Sequence, residues 1–358
     1  MNILHITATH LKPTGGIPVV LKQLTDAQNK IPGIRSAVLS LKEDVKNIGS
    51  DNFFFLQHRS FADFVSEYKP DVVVMHSFFC IEYIAVVRYL VKNNIAFFIE
   101  PHGSFGKNAM RKSKIKKKFA NATIFRKQIR KSIGYVFLNH EEMNDSIYRT
   151  GNDIIIPNGV IPCEVNSQYK WDAEEIPSLY FLGRYDIYHK GLDILFDALD
   201  LLERREKRYK INLYGTGNEE QLRYVRERIR SYNKLSVTDF GMVCGEDKTR
   251  TLENNNICIM TSRYEGFPMT ILESLLYGNP CIVTPGTNLA DELSGNDIGW
   301  KAELSAESIA DTIIRALCDY KSQGREYFTR CREYVTDNYS WDKIGKDSIE
   351  QYKKVLSR

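Results

Sequence analysis

The 358-residue chain predicts two consecutive α/β domains, each a parallel sheet covered by helices. Three observations carry this. Short β-rich runs alternate with longer helical patterns along the whole chain. Runs such as "DVVVM", Asp71–Met75, are almost continuously apolar, as strands buried on both faces should be. The rhythm breaks once, at "IPNGVIPCEVNSQYKWDAEEIPS", a polar stretch with three prolines that reads as a linker. The length itself favours two cores over one.

In the first half, strands are expected at Asn2–Thr7, Arg35–Leu39, Asp71–Met75, Ile95–Glu100, Gly134–Leu138 and Ile154–Ile156. Helical patterns lie between most of them, at Ile17–Asn29, Ile81–Lys92, Arg111–Arg130 and Glu141–Tyr148. After the linker, strands are expected at Leu179–Leu182, Ile211–Tyr214, Ser236–Phe240, Ile257–Met260 and Cys281–Val283. Helices are expected at Gly191–Glu203, Glu219–Tyr232, Asp247–Glu253, Met269–Tyr277 and Ala306–Tyr320. Open sheets of this kind bind ligands at the carboxyl ends of their strands, so two that face each other predict an interdomain cleft.

Composition narrows the function classes. A net charge of +4 gives no global field for nucleic acid. The start, "MNILHIT", reads as a strand and lacks the parts of a signal peptide. The apolar region around "VVVMHSFFCIEYIAVV" is interrupted by His76 and Glu82 and is too short to span a bilayer. Seven scattered cysteines without Cys-x-x-Cys suit reduced thiols, with Cys258 and Cys281 in strand-like runs as small buried hydrophobes. The expected location is therefore cytoplasmic.

Four strand-to-helix loops hold the chemistry. In "THLKPTGGIPVVL", Gly15 and Gly16 precede a helix, which makes either a plain turn or a close backbone approach to a phosphate. In "FIEPHGSFG", His102 follows a strand end and can donate to a substrate oxygen or phosphate, or serve a structural hydrogen bond. In "LYFLGRYDIYHKGLDIL", Arg184 and Lys190 share one loop; the pair suits a diphosphate, or is simply solvated. In "SRYEGFPMTILESLLYGNP", Glu265 falls in the loop and Glu273 in the second turn of the helix opened by Pro268, so the two do not share a helical face. Backbone N–H groups of Phe267, Met269 and Thr270 lie near the positive end of that helix, which favours an anion. Carboxylates beside such a site are acceptors and fit sugar hydroxyls.

Taken in order, these loops resemble family 4 of the retaining glycosyltransferases, which have the GT-B fold of two Rossmann-like domains facing an interdomain cleft. The resemblance rests on Glu-x7-Glu, here Glu265 to Glu273, on Gly15–Gly16, and on "PHG" at 101–103 and "IPNG" at 156–159. It also rests on "GR" and "KG" within 183–191, "YGTGNE" at 214–219, "FGMVCGEDK" at 240–248 and the C-terminal "YSWDKIGKDSIEQYKKVL". It covers nearly the whole chain. It implies an acceptor-binding domain over 1–162, a donor-binding domain over 163–341, and a C-terminal helix, about 342–358, that crosses back.

The resemblance also implies roles. Glu273 would bind the ribose hydroxyls, Glu265 the donor sugar, and the backbone of Gly266, Phe267, Pro268 and Met269 its hydroxyls. Arg184 and Lys190 would hold the diphosphate as it leaves, with Gly16 approaching the same phosphates and His102 beside the sugar. The backbone near Met242 and Val243 would read the base. Cations preorganised on the leaving group are the main lever for this reaction. No Asp-x-Asp occurs, so no metal or other cofactor is expected. A UDP-sugar is the first expectation for the donor and GDP-mannose the second. The expected acceptor is a glycan or lipid-linked sugar in bacterial-type surface polysaccharide or lipopolysaccharide synthesis.

From Pro101 to His140 there are eleven Lys/Arg and no Asp/Glu. This basic segment, 107–131, reads either as a solvated helix or as a contact to an anionic membrane surface, since Ile115, Phe119, Ile124 and Phe125 interleave with the cations. Nucleic acid fits least, with no recognised module around it. Two rival functions remain: a glycoside hydrolase using the glutamate pair, and a degenerate nucleotide-sugar binding protein. A nicotinamide enzyme is disfavoured because neither first strand leads into G-x-G-x-x-G.

Overall fold

The computed structural model describes residues 1–8, 16–42, 51–56, 58–107, 120–121, 123–161 and 176–358. They form two compact units, Met1–Gly159 with Tyr339–Arg358, and Val160–Asn338.

In the first unit, β1 (Asn2–Thr7), β2 (Arg35–Ser40), β3 (Phe53–Phe55), β4 (Val72–His76), β5 (Ala96–Glu100), β6 (Gly134–Phe137) and β7 (Ile154–Ile155) pair in the order β3-β2-β1-β4-β5-β6-β7, all parallel. Every residue of β4 is buried, as its unbroken apolar run requires. The helices are α1 (Gly16–Asn29), α2 (Phe61–Tyr68), α3 (Tyr83–Lys92), α4 (Arg126–Lys131) and α5 (His140–Asp145). Strand β3 and helix α2 were not among the elements expected. Ser60 starts α2 by accepting the Asp63 N–H, and Lys69 stops it in the left-handed region at φ 51°.

The second unit holds β8 (Ser178–Leu182), β9 (Lys210–Tyr214), β10 (Ser236–Gly241), β11 (Ile257–Met260), β12 (Cys281–Val283) and β13 (Gly299–Lys301), in the order β10-β9-β8-β11-β12-β13, again all parallel. Its helices are α6 (Leu192–Arg204), α7 (Glu219–Ile229), α8 (Gly245–Glu253), α9 (Met269–Leu276), α10 (Ala290–Gly295) and α11 (Ala306–Tyr339). Helix α11 runs well past Tyr320, with a break in helical geometry at Gln323. A core of Leu179, Phe181, Leu195, Leu199, Ile211 and Ile259 packs the sheet against its helices.

The last helix, α12 (Trp341–Leu356), belongs to the first unit. It buries Trp341, Ile344, Ile349 and Tyr352 with Ile3, Val72 and Phe98 of that sheet. Gly345 lets it approach α1 closely, since a Cβ there would sit 3.0 Å from the Ala27 methyl. The Gln351 amide pairs with both backbone groups of Ile155, at 3.1 and 2.6 Å, and so closes the edge of β7.

Ile344 is only 2% exposed. Ile344→Ala is therefore predicted to lower the unfolding free energy by about 3 kcal/mol, while the exposed Lys343→Ala shifts it by less than about 0.5 kcal/mol. Urea unfolding measures both; an Ile344→Ala effect as small as that of Lys343→Ala would mean that α12 is not part of this core.

Candidate active site

In the second unit the sheet order reverses between β8 and β11. Crossovers leave in opposite directions at such a switch point, and the crevice beyond the strand ends is where open α/β sheets bind ligands. The loops after these two strands carry Arg184 and Lys190 on one side and Glu265 on the other.

The two loops are tied together. Thr261 Oγ donates to the Lys190 and Gly191 carbonyls at 3.2 and 3.0 Å, and the Arg263 N–H donates to the His189 carbonyl at 2.9 Å. Gly191 sits at φ 64°, where a Cβ would fall on the Thr261 carbonyl oxygen, so only glycine fits. Arg263 forks onto Asp193 with two 2.7 Å contacts and lies over the Tyr188 ring. On the far side, Thr284 Oγ donates to the Ser262 carbonyl and the Asn288 amide to that of Glu265, each at 2.7 Å.

This frame brings Lys190 and Glu265 together. Glu265 Oε1 accepts from Lys190 Nζ and from Ser262 Oγ, both at 2.6 Å. The Lys190 and Glu265 side chains are 14% and 10% exposed, so the pair is largely out of water. Glu273, in the second turn of α9, accepts on Oε1 from Lys248 Nζ at 2.6 Å, in a more open setting. Pro268 caps α9 with no side-chain hydrogen bond to the first turn, where Met269 and Thr270 lie. Arg184 is exposed and makes no ion pair among the described residues. Met242, 69% exposed, and Val243 follow the edge strand β10 beyond Gly241 at φ 74°. Gly266 and Phe267 complete the loop before Pro268, and Gly16 opens α1; Gly15 lies outside the described residues.

His102, in the first unit, follows β5 in the left-handed region at φ 47°. Its ring, 18% exposed, ends a series whose other two rings are buried. His5 Nδ1 meets His76 Nε2 at 2.9 Å, and His76 Nδ1 meets His102 Nε2 at 3.1 Å. Glu100 lies 3.3 Å from His76 Nδ1 and 3.5 Å from His102 Nδ1. Burial pushes His5 and His102 down to about 4 and His76 well below its usual value. Burial first, then the Glu142 charge, pushes the Glu100 carboxyl up. Burial also raises Glu142, against the N–H groups of Leu138 and Gly103 that it accepts. His76, Glu100 and His102 bring three ligand-type atoms within 4.8 Å of one another. The facing nitrogens of His76 and His102, however, are aligned as donor and acceptor, so the set is read as a hydrogen-bonded cluster.

Sequence reading missed Lys248, Ser262, His5, His76 and Glu100. His76 was visible only as a polar interruption of an apolar run, and its meaning depends on strands far apart in the chain. Of the basic segment, 108–119 and 122 lie outside the described residues, Ile115 and Phe119 among them. Ile124 is 50% exposed, but Phe125 is buried against Phe78 and Phe79, so it is unavailable to a membrane. No described helix is long and apolar enough to cross a membrane.

The two parallel α/β units define the class. The chain superposes on a glycosyltransferase of Rickettsia africae with a TM-score of 0.73, at 19% identity, covering 99% of this chain and 98% of that one. It superposes on an Anabaena protein in complex with UDP with a TM-score of 0.71, at 15% identity, covering 99% and 100%. The fold is thus GT-B. Residues 176–319 match the family described as Glycosyl transferases group 1, which supports at family level the resemblance read from the motifs. An uncharacterized glycosyltransferase of Methanocaldococcus jannaschii is 26% identical over 59% of this chain and 57% of its own length. The phosphatidyl-myo-inositol mannosyltransferase of Mycobacterium tuberculosis is 22% identical over 65% and 62%. The matched region thus spans about three fifths of these relatives.

Two predictions follow from the charges. Lys190→Ala leaves a largely buried carboxylate uncompensated and should cost about 3 kcal/mol, whereas Lys248→Ala, in a pair 34% and 28% exposed, should cost about 1 kcal/mol or less. Urea unfolding compares them, and equal losses would contradict the difference in burial. The second concerns pH. His5 titrates near 4 folded and 6.5 unfolded, so between these values the unfolded chain binds more protons. Stability is then lost as pH falls from 6.5 toward 4, by up to about 1.4 kcal/mol per pH unit for each such histidine. The raised Glu100 and Glu142 act oppositely above 4.5, losing stability as pH rises. His5→Gln should therefore be less destabilised than wild type on going from pH 6.5 to 5; identical losses would remove His5 from the account.

Proposed function

We propose that the chain is a glycosyltransferase that moves a sugar from a nucleotide-sugar to a glycan or lipid-linked acceptor, with retention and without a metal on the diphosphate. The observation that carries this is the placement of Lys190 and Glu265 on the two loops that flank the β8/β11 switch point. The match of residues 176–319 to group 1 glycosyl transferases falls on that same unit.

In this reading Lys190 and Arg184 stabilise the diphosphate as it leaves, Arg184 as a planar fork and Lys190 as a movable point charge. Lys190 is already shared with Glu265, so a bound diphosphate would draw on a cation that a carboxylate and two backbone ties hold in place. Glu265 and the backbone from Gly266 to Met269 hold the sugar, and Glu273 the ribose diol. Each glutamate accepts its lysine on Oε1, which leaves Oε2 for a hydroxyl. The backbone near Met242 and Val243 reads the base. UDP is favoured as nucleotide, in line with the Anabaena complex, and GDP-mannose comes second. The mannosyltransferase relative supports a lipid-linked acceptor at a membrane face, where the exposed Arg126, Lys127, Arg130 and Ile124 would meet anionic headgroups. A role in surface polysaccharide or lipopolysaccharide synthesis would follow.

Thermal-shift titration with UDP, GDP and ADP should single out one nucleotide, and transfer from its sugar forms should then be measured. Arg184→Ala and Lys190→Ala are each expected to lower turnover at least about a hundredfold. Glu273→Ala should weaken nucleotide binding by about 1.5–3 kcal/mol. Chelator should leave the rate unchanged. Near-wild-type turnover in either cation variant would sink the electrostatic account.

A further inference from the structure

The hydrogen bonds of the first unit determine which nitrogen of His102 carries its proton. The series begins on the last helix. Ser348 Oγ donates to the Gly345 carbonyl at 2.7 Å, which uses its one hydrogen. Its contact with Gln28 at 3.0 Å must then be one that it accepts, so the Gln28 nitrogen faces Ser348. The Gln28 amide oxygen points the other way, to Ser36 Oγ at 2.6 Å and His5 Nε2 at 3.2 Å.

A carbonyl oxygen only accepts. His5 therefore carries its proton on Nε2, and a neutral ring then has a bare Nδ1. That nitrogen accepts from His76 Nε2 at 2.9 Å, which leaves His76 Nδ1 bare in turn. His76 Nδ1 accepts from His102 Nε2 at 3.1 Å. Each ring passes the same polarity to the next, and the last nitrogen, His102 Nδ1, is left with a lone pair.

We propose that Gln28, oriented by Ser348, is a positioning residue that fixes the tautomer of His102 through His5 and His76, so that His102 presents an acceptor at the end of β5 and not a donor. This sharpens what His102 can offer a ligand at the end of β5 and rests on the glycosyltransferase reading for that ligand, though not for the tautomer. A neutral imidazole whose N–H is spent inside the protein has nothing to give a phosphate oxygen; it can accept from a sugar hydroxyl. Its present neighbour there, Glu100 Oε1, is 3.5 Å away, the longest link of the set and the easiest for a hydroxyl to replace.

The surroundings agree. Burial keeps all three rings neutral near pH 7, as the transmission of polarity requires. The raised Glu100 holds its own proton and can donate to a bare nitrogen on His76 or His102. Glu142, the other carboxyl close by, is occupied by the N–H groups of Gly103 and Leu138 at 2.6 and 2.7 Å. An ionised Glu100 would demand the opposite polarity, with Nδ1–H on His76.

Nitrogen-15 NMR of the histidine rings in the full chain at pH 7.5 tests this without reference to catalysis. The result expected is Nε2–H with an unprotonated Nδ1 for His5, His76 and His102, assigned by single His→Gln replacements. Nδ1–H on any of the three in wild type overturns the proposal. Ser348→Ala frees the amide to rotate and should give His102 a second population bearing Nδ1–H. Gln28→Leu removes the acceptor and should do so more fully, with turnover falling about tenfold, the scale for losing a group that orients another. An unchanged His102 tautomer in both variants also overturns it. Should Gln28→Leu not fold, wild type and Ser348→Ala decide. Expected tautomers in a chain that transfers no sugar would uphold the lock and count against the glycosyltransferase reading.

Discussion

Parallel pairing is the constraint on which the rest of this molecule depends. Parallel neighbours can be joined only through crossovers, so in each unit every strand points the same way and every strand-to-helix loop falls on one edge. Strands such as β4 and β8 are buried along their whole length, and a polar side chain inside a strand, such as Tyr180 in β8 or His5 in β1, is there only with buried partners. Charged and hydrogen-bonding residues are thereby driven to the carboxyl edge. His76 and Glu100 end β4 and β5, and Lys190 and Glu265 follow β8 and β11. The chemistry is gathered where the topology leaves space for it.

The two units manage buried polarity in different ways. In the second, carboxylates are balanced by cations: Glu265 by Lys190, Glu273 by Lys248 and Asp193 by Arg263. Such pairs can sit partly out of water because each charge has an opposite partner and further hydrogen bonds. In the first unit no described Lys or Arg pairs with Glu100, and the cluster becomes neutral instead, with the rings pushed down and the carboxyls pushed up. A neutral cluster costs less to bury than an unpaired charge. It also transmits direction, since a neutral imidazole has one donor and one acceptor while a charged one has two donors.

The expectations that held were those resting on local pattern. Continuous apolar runs marked β4, β8 and β11, and the loops after β8 and β11 were read with Arg184, Lys190 and Glu265 in them. Two of the four edge strands escaped: β3 is three half-buried phenylalanines and β13 three residues, too short for either period to register. The expected helix Ala306–Tyr320 ends just before Gln323, where α11 does break before it continues to Tyr339. The partners of the site residues were illegible for another reason. Lys190 and Glu265 are 75 positions apart, and Gln28 and Ser348 are 320 apart. Nothing in either neighbourhood specifies the other; only the fold does.

The same contacts bear on why the two glutamates need not be an acid and a base. A glycoside hydrolase places two carboxyls across one bond and gives them unlike environments, so that one keeps its proton to protonate the leaving group. Here each glutamate, though unequally buried, accepts a lysine ammonium on Oε1 at 2.6 Å. Glu265 takes a second donor, Ser262, on that same oxygen. Carboxylates arranged as acceptors are suited to holding hydroxyls. The hydrolase alternative would also leave Arg184 and Lys190 with no charge to stabilise, whereas departure of a diphosphate gives both cations a task. The polarity of the site thus suits the proposed transfer, in which a sugar–phosphate bond breaks, better than hydrolysis of a glycosidic one.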